Sequence, residues 1–352
     1  MTMLADNYEY VIGGDPDRDT IDLVVVQAAT GTVGAHLEIP AESSGYRRAL
    51  RWASTQAPAR RVWALEGTGS FAAGFAEALA QAGEDVTEIG ALRRSRGAKN
   101  DRLDAVRAAR TAISREHQTT PRIRGLREAI RAMSATRHGV LVSRTKAINE
   151  LKSLIVVAPE HLRAKLRGLS LAKQLAVIES MPPATTHAAV EYRITLIALQ
   201  SIAVRIRFLS TQMEEIDPQL MALVTTHPAG SALMAEPGVG PVVAAQLLIS
   251  WSHPGRVRNE AAFASLAGVA PLEASSGLTS RHRLNRGGDR ALNRALHTVA
   301  ITRARCHPET RAHETRRTLQ GKSHRDIRRC LKRSIARRLY RIMEASARTT
   351  PA

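Results

Sequence analysis

Four carboxylates in the first third of the chain, Asp15, Glu66, Asp101 and Asp104, are spaced so that a fold could gather them. Asp15 closes a short apolar run ending in Gly-Gly-Asp-Pro, and Glu66 closes the strand-like segment RVWALE. Asp101 and Asp104 stand three apart, on one face of a helical turn. Carboxylates brought together repel unless a cation neutralises them, and hard oxygen donors select Mg²⁺, with Mn²⁺ as a substitute. Two such ions can polarise a phosphodiester and stabilise its leaving oxygen. Each acid taken singly has a plainer reading. Asp15 could be a turn residue, with Asp17, Asp19 and Asp22 equally available, and Asp101 could cap a helix.

Further along, Glu236-Pro237-Gly238-Val239-Gly240-Pro241 precedes the apolar VVAAQLLI. A P-G-V-G turn between helices has the character of a helix-hairpin-helix. Gly238 and Gly240 would let backbone N–H groups approach a phosphate at a helix N-terminus. The plain alternative is a tight turn. Ser275-Ser276-Gly277 forms a loop followed by Arg281, Arg283, Arg286 and Arg290 around Gly287-Gly288. A serine there could attack phosphorus while guanidinium groups offset charge on the phosphoryl oxygens. The same arginines could equally anchor a nucleic-acid backbone without reading sequence. Two rival motifs also occur. Gly67-Thr68-Gly69-Ser70-Phe71-Ala72 fits G-x-G-x-x-A of dinucleotide sites, with Asp85 and Glu88 near the position of a ribose-binding acid. Cys306 and Cys330 with His307, His313 and His324 offer zinc donors at a spacing that matches no common finger.

The elements that must position these groups follow from local patterning. Apolar, β-branched runs at 8–15, 20–27 and 33–39 are joined by short turns and read as an antiparallel meander. Segments 43–56 and 70–81 have helical composition, 61–65 and 85–89 are strand-like, and a helix starts near Asp101. The order β-β-β-α-β-α-β-α describes an RNase H-like sheet, antiparallel at first and parallel afterwards. In that order the strands ending at Asp15 and Glu66 are neighbours. From about Pro121 to Val157 and from His187 to Val224 the pattern is helical, with a break expected only at Asp217-Pro218. Two such helices suggest an antiparallel or intermolecular coiled coil, or an ordinary bundle. A compact helical domain ending in a basic helix, 323–345, follows.

Composition narrows the partners. The chain has 352 residues, a formal net charge of +19 and a pI near 11.1, so a polyanion is the natural ligand. Residues 1–90 hold 6 Lys/Arg against 13 Asp/Glu, whereas 281–345 hold 19 against 5. An acidic head on a basic tail implies divided labour. Aromatic residues are only 3%, which argues against base stacking as the main binding mode. Two cysteines fit a reducing cytoplasm. The N-terminus lacks the features of a signal peptide, and the apolar stretch 239–251 is shorter than the about 20 residues a bilayer demands. No membrane association is expected.

Taken in order, GGDPDRDTIDLVVV, ALEGTGSF, KNDRLDAVRAAR, LMAEPGVGP and FASLAGVAPLEASSG with RGGDRALNRAL resemble the DEDD-type transposases of bacterial insertion sequences. That family also includes the Piv-type DNA invertases. The resemblance covers nearly the whole chain, although the middle helices match only in character. It implies a RuvC-like domain of RNase H fold over 1–118, a helical coiled-coil region over 119–228 and a transposase domain over 229–352. It places Asp15, Glu66, Asp101 and Asp104 at the metal-binding acids, and Ser276, which precedes a glycine, at the catalytic serine. It further implies cleavage through a covalent phosphoserine, sites shared between subunits of a dimer or tetramer, and a structured guide RNA that selects target and donor DNA. A bacterial, cytoplasmic, nucleoid-associated protein is the expected setting. The chain departs from the family pattern at Gly14, usually aliphatic, at Arg18, usually lysine, and at Asn100, usually serine or threonine.

Three functions therefore stand in order: a transposase using the acids with Ser276, a RuvC-like nuclease hydrolysing branched DNA, and a non-catalytic nucleic-acid-binding protein.

Overall fold

The computed structural model describes residues 4–90, 101–183, 185, 188–273, 282–283, 285 and 287–349. The chain divides into two compact units, one of residues 1–124 with 252–256, the other of 125–251 with 257–352.

The first unit contains α1 (Leu4–Asn7), β1 (Tyr10–Pro16), β2 (Thr20–Gln27), β3 (Val33–Pro40), α2 (Ser43–Gln56), β4 (Arg61–Glu66), α3 (Ala73–Gln81), β5 (Asp85–Ile89) and α4 (Asp101–Ile113). Its five strands form one sheet in the order β3-β2-β1-β4-β5. The pairs β1–β2 and β2–β3 are antiparallel, while β1–β4 and β4–β5 are parallel. This mixed sheet with helices is the arrangement expected of an RNase H-like domain. Alternation along the strands builds two cores. Ile12, Leu23, Trp63 and Leu65 pack against α2 and α3, and Val11, Val24, Val26, Val62 and Ala64 pack against α4. Burying both faces explains why β2 and β4 are apolar almost throughout.

Gly13 sets how close α4 lies. A Cβ there would overlap the carbonyl oxygen of Ala105 and stand 2.9 Å from the amide nitrogen of Ala109. Helix and strand therefore touch backbone to backbone, the usual reason for a glycine inside a strand. The small faces of Ala105 and Ala109, both fully buried, complete that contact.

Residues 252–256 return to this unit through charge. Glu88 on β5 accepts from Arg122 at 2.7 Å and from Arg256 at 2.9 Å. The Arg256 side chain is only 8% exposed, and burial pulls its guanidinium below the ordinary arginine range against the field of Glu88. A buried cation without its carboxylate is costly, so Glu88→Gln is expected to lower unfolding free energy by about 3 kcal/mol. Denaturant titration checks this, and a loss below about 1 kcal/mol would contradict it.

The second unit is almost entirely helical: α5 (Leu126–Val157), α6 (Glu160–Leu166), α7 (Leu171–Ser180), α8 (Val190–Thr226), α9 (Gly230–Met234), α10 (Pro241–Trp251) and α11 (Glu260–Leu266) come first. A two-stranded ribbon, β6 (Leu272–Glu273) and β7 (His282–Arg283), precedes α12 (Arg290–Cys306), α13 (Pro308–Leu319) and α14 (His324–Thr349). Helices α5 and α8 run antiparallel. Arg137 pairs with Asp217, Arg144 donates to Ser210 at 2.8 Å, and Glu150 pairs with Arg205, so each step forward on one helix is a step back on the other. One end of this pair shares a core with α6 and α7. The other end enters the core around α10.

Two sequence expectations are corrected here. The helix α8 does not break at Asp217-Pro218; Pro218 lies inside it. The Arg137–Asp217 pair and buried Leu220 and Val224 hold the helix across the lost N–H, an override of local propensity by packing. The apolar helix of membrane-spanning length is also α8 rather than the stretch 239–251. By length and composition alone, α8 is the one helix among the described residues that could cross a membrane. Its Leu196, Leu199, Ala203 and Ile206 are instead buried in the helical core.

Candidate active site

Strand register brings the first two acids to one edge of the sheet. Gly13 pairs with Ala64 and Gly14 with Leu65 in the parallel β1–β4 ladder, so Asp15 and Glu66 end adjacent strands at the same level. Both share the parity of residues facing α4: Val11 and Gly13 before Asp15, Val62 and Ala64 before Glu66. The first turn of α4 carries Asp101 and Asp104 and covers that same face. All four carboxylates are half-buried. Sequence spacing alone placed them on three elements; register and the close seat of α4 place those elements together.

The donor set is all carboxylate oxygen, which suits a hard divalent cation. The side chains do not close around a point. Among the described residues no group of three or more His, Cys, Asp or Glu is gathered to hold a metal ion. Asp104 accepts from Arg107 one helical turn on, at 2.5 Å. Arg107 thus supplies part of the counter-charge that a cation would otherwise provide.

The sheet adds one acid that spacing did not single out. Asp22 is the cross-strand partner of Asp15 in the antiparallel β1–β2 pair, and it shares the parity of Val24 and Val26, which face α4. It is 8% exposed and lies 2.6 Å from Nε2 of His36. Like charges directly opposite each other destabilise a sheet, and the His36 hydrogen bond gives Asp22 a partner other than Asp15. A lone carboxylate inside the β-branched run TIDLVVV is the signal that could have marked it.

The glycines after Glu66 serve the turn. Gly67 has φ of 66°, and its carbonyl accepts from the amides of Ser70 and Ala72. The antiparallel β1–β2–β3 arrangement is not that of a dinucleotide fold. The hydroxyl of Thr68, in the same turn, is buried and meets no hydrogen-bond partner among the described residues.

In the second unit, the P-G-V-G turn joins α9 to α10. Gly238 has φ of 80°, and a Cβ would come within 3.2 Å of Val299 O and of Thr302 on α12. The position therefore packs closely against α12 and has little room for a side chain. Gly240 has open space around it, so its backbone is the more approachable of the two. Arg303 staples the turn, donating to Pro237 O at 2.7 Å and to Glu236 at 2.8 Å. Burial raises the Glu236 carboxyl, but Arg338 and then Arg303 hold it below the usual carboxylate range.

Gly268 and Gly288 close a backbone junction before α12. Cβ atoms there would stand 2.6 Å from Gly287 O and 2.5 Å from Leu266 O. Asp289 then caps α12, accepting from the amides of Ala291 and Leu292 at 2.9 Å. Arg283 on β7 and Arg290 at the start of α12 are exposed. Ser276, Arg281 and Arg286 lie outside the described residues; in sequence, Ser276 falls between the paired strands β6 and β7. No zinc cluster forms among the described cysteines and histidines, and Cys306 donates instead to Thr302 O at 3.1 Å.

Comparison with known proteins agrees with this layout. A transposase model of the DEDD, IS110 type matches residues 12–158, and one described as the transposase IS116/IS110/IS902 family matches 230–314. The chain is 35% identical over 130 residues to the "Insertion element IS110 uncharacterized 43.6 kDa protein" of Streptomyces coelicolor, covering 36% of this chain and 32% of that one. It is 26% identical over 204 residues to the "Transposase for insertion sequence element IS1328" of Yersinia enterocolitica, covering 56% and 57%. The matched stretches therefore span about a third and somewhat over half of these relatives. Transposase models thus match part of its sheet domain and part of its helical domain, and in both the chain is similar to the IS110-type DEDD transposases of insertion sequences.

Proposed function

We propose that this protein is a DNA transposase that cuts and rejoins strands through the acidic edge of its sheet and a serine of its helical unit. The observation that carries this reading is the shared level of Asp15 and Glu66 on adjacent parallel strands, under the helix whose first turn bears Asp101 and Asp104. These four residues would hold a divalent cation, Mg²⁺ or Mn²⁺, which when bound supplies charge neutralisation at a phosphodiester. Asp22, hydrogen-bonded to His36, stands across from Asp15 as a further carboxylate at this edge. Ser276 Oγ forms the bond to phosphorus as the P–O bond to one deoxyribose breaks. The serine gives up its proton, the departing sugar oxygen takes one, and the phosphodiester becomes a phosphoserine ester. Attack by a second strand's hydroxyl on that ester releases the serine and seals the new junction, with no external energy source. Arg281, Arg283, Arg286 and Arg290 offset charge on the phosphoryl oxygens or anchor the strand. Gly238 and Gly240, in a helix-hairpin-helix-like turn, give backbone contact with a phosphate. A structured guide RNA directs the choice of DNA.

The acids and the serine belong to different units, and subunits of an oligomer would share them. A seam on α8 supports the oligomer. Val190, Ile194, Ile197, Val204 and Phe208 recur at spacings of four, three and seven, and each is more than half exposed, from 54% to 67%. That is the heptad spacing of a helix–helix contact, and a second copy of the chain is its natural occupant. Light scattering should show Ile197→Glu at a lower assembly mass than wild type; an unchanged mass would remove the seam from the interface.

The function is tested by incubating the protein with Mg²⁺, a guide RNA and DNA carrying element ends. A covalent protein–DNA adduct is expected. Cut DNA with no adduct would indicate a hydrolytic, RuvC-like nuclease, and binding without cutting would indicate a non-catalytic nucleic-acid-binding protein.

A further inference from the structure

A cavity of about 260 Å³ lies within the helical unit, between the loop after α11 and the first turns of α14. Val269, Ala270 and Pro271 give it an apolar wall. Arg283, Arg329, Lys332 and Arg333 surround it with positive charge. Among the described residues, the one carboxylate at its rim, Asp326, is already engaged by Ser323 at 2.6 Å and Arg329 at 3.2 Å. Among the described residues, no carboxylate pairs with Arg283, Lys332 or Arg333.

Lys332 is built into the wall rather than draped on the surface. Its Nζ donates to Asn293 Oδ1 at 3.1 Å, and that amide is fixed by donating to Ala267 O at 2.7 Å. Burial, then the neighbouring Arg329, lowers the lysine's pKa. His297 on α12 is pushed down by burial and by Lys332 and Arg328. Cations crowded at the mouth of a cavity are relieved by an anion, and an apolar wall beside them favours an anion that carries an apolar body. The volume is slightly under the ~300 Å³ at which small-ligand pockets begin, a size suited to one nucleotide unit of a strand.

We propose that this cavity is a strand-anchoring subsite for one nucleotide of a nucleic-acid strand, the phosphate held among Arg283, Arg329, Lys332 and Arg333 and the base or sugar against Val269, Ala270 and Pro271. The inference rests on the reading that the chain acts on nucleic acid. It adds residues on α14 that lie outside the arginine-rich segment and places them around a cavity of defined size.

The test is fluorescence anisotropy of the full chain with a labelled single-stranded DNA oligonucleotide and an RNA of the same sequence, across about 50 to 200 mM salt. Lys332→Gln keeps a partner for Asn293 and removes the charge. It should weaken binding several-fold and reduce the salt slope by about 0.7, the share of one phosphate on a single strand. Ala270→Phe fills the cavity with every charge in place and should weaken binding as well. Arg333→Gln, on the exposed rim, carries the same expectation as Lys332→Gln if the buried variants melt early. Loss with DNA, with RNA or with both identifies the strand and supports the subsite. Variants that melt like wild type yet keep its affinity and slope would overturn the subsite and leave the transposase reading standing. A wild-type protein that binds neither oligonucleotide would overturn both.

Discussion

Gly13→Ala is expected to slow DNA cleavage about a hundredfold in a protein that still folds. The added methyl has no space, because it would overlap Ala105 O and press on Ala109 N. Helix α4 must move away from the sheet, and it carries Asp101 and Asp104 in its first turn. Displacement of a reacting group by about 1 Å can cost ~10²-fold in rate, whereas overpacking of this kind costs about 1–3 kcal/mol of stability. Gly14→Ala supplies the contrast. Its methyl would meet the side-chain ends of Leu65 at 2.5 Å and Leu23 at 3.2 Å, on the face away from α4. Those tips can yield, so cleavage should stay near wild type. Single-turnover cleavage rates with parallel thermal melts separate the two cases. Equal rates for both variants would sever the link between the α4 seat and the chemistry.

Asp15→Asn and Asp101→Asn should each abolish detectable cleavage, a loss of at least about a hundredfold, while leaving DNA binding equal or tighter. The amide keeps the shape of the side chain but neither neutralises a cation nor repels phosphate. Asp22→Asn should do less, because Asp22 already spends its carboxylate on His36. Its effect should be a raised metal requirement that higher Mn²⁺ restores, since a displaced ligand can be compensated by mass action. Cleavage measured against metal concentration distinguishes the two behaviours. Full activity of Asp15→Asn at ordinary Mg²⁺ would remove the acidic edge from the mechanism.

Much of this was legible in the residues, for identifiable reasons. The β-branched run of β2, the short strand-like DVTEI of β5 and the helical composition of α2 made those elements readable to their ends, and the β-β-β-α-β order put Asp15 beside Glu66. What stayed hidden depends on contacts between residues far apart in sequence. Gly13 reads as a weak point in a strand until Ala105, ninety-two positions on, is seen against it. Asp22 looks like one of several turn-region acids until antiparallel register places it opposite Asp15. The return of 252–256 to the sheet unit rests on Arg256 finding Glu88, a pairing no local pattern announces. Pro218 signals a break that long-range packing of α8 overrides. The close packing of Gly238 against α12 is a demand on that position which its turn motif does not announce. Ser276 owes its assignment to family resemblance, because a Ser-Ser-Gly string is by itself an ordinary turn.

The central claim is that the acidic edge and Ser276 complete one reaction. Its most direct measurement is the mass of the peptide that remains attached to DNA after cleavage in Mg²⁺, followed by nuclease digestion of the strand. A nucleotide linked to Ser276 in the wild type is expected, with no adduct from Ser276→Ala or from Asp15→Asn. A nucleotide found on another residue, or an adduct that persists in Asp15→Asn, would contradict it.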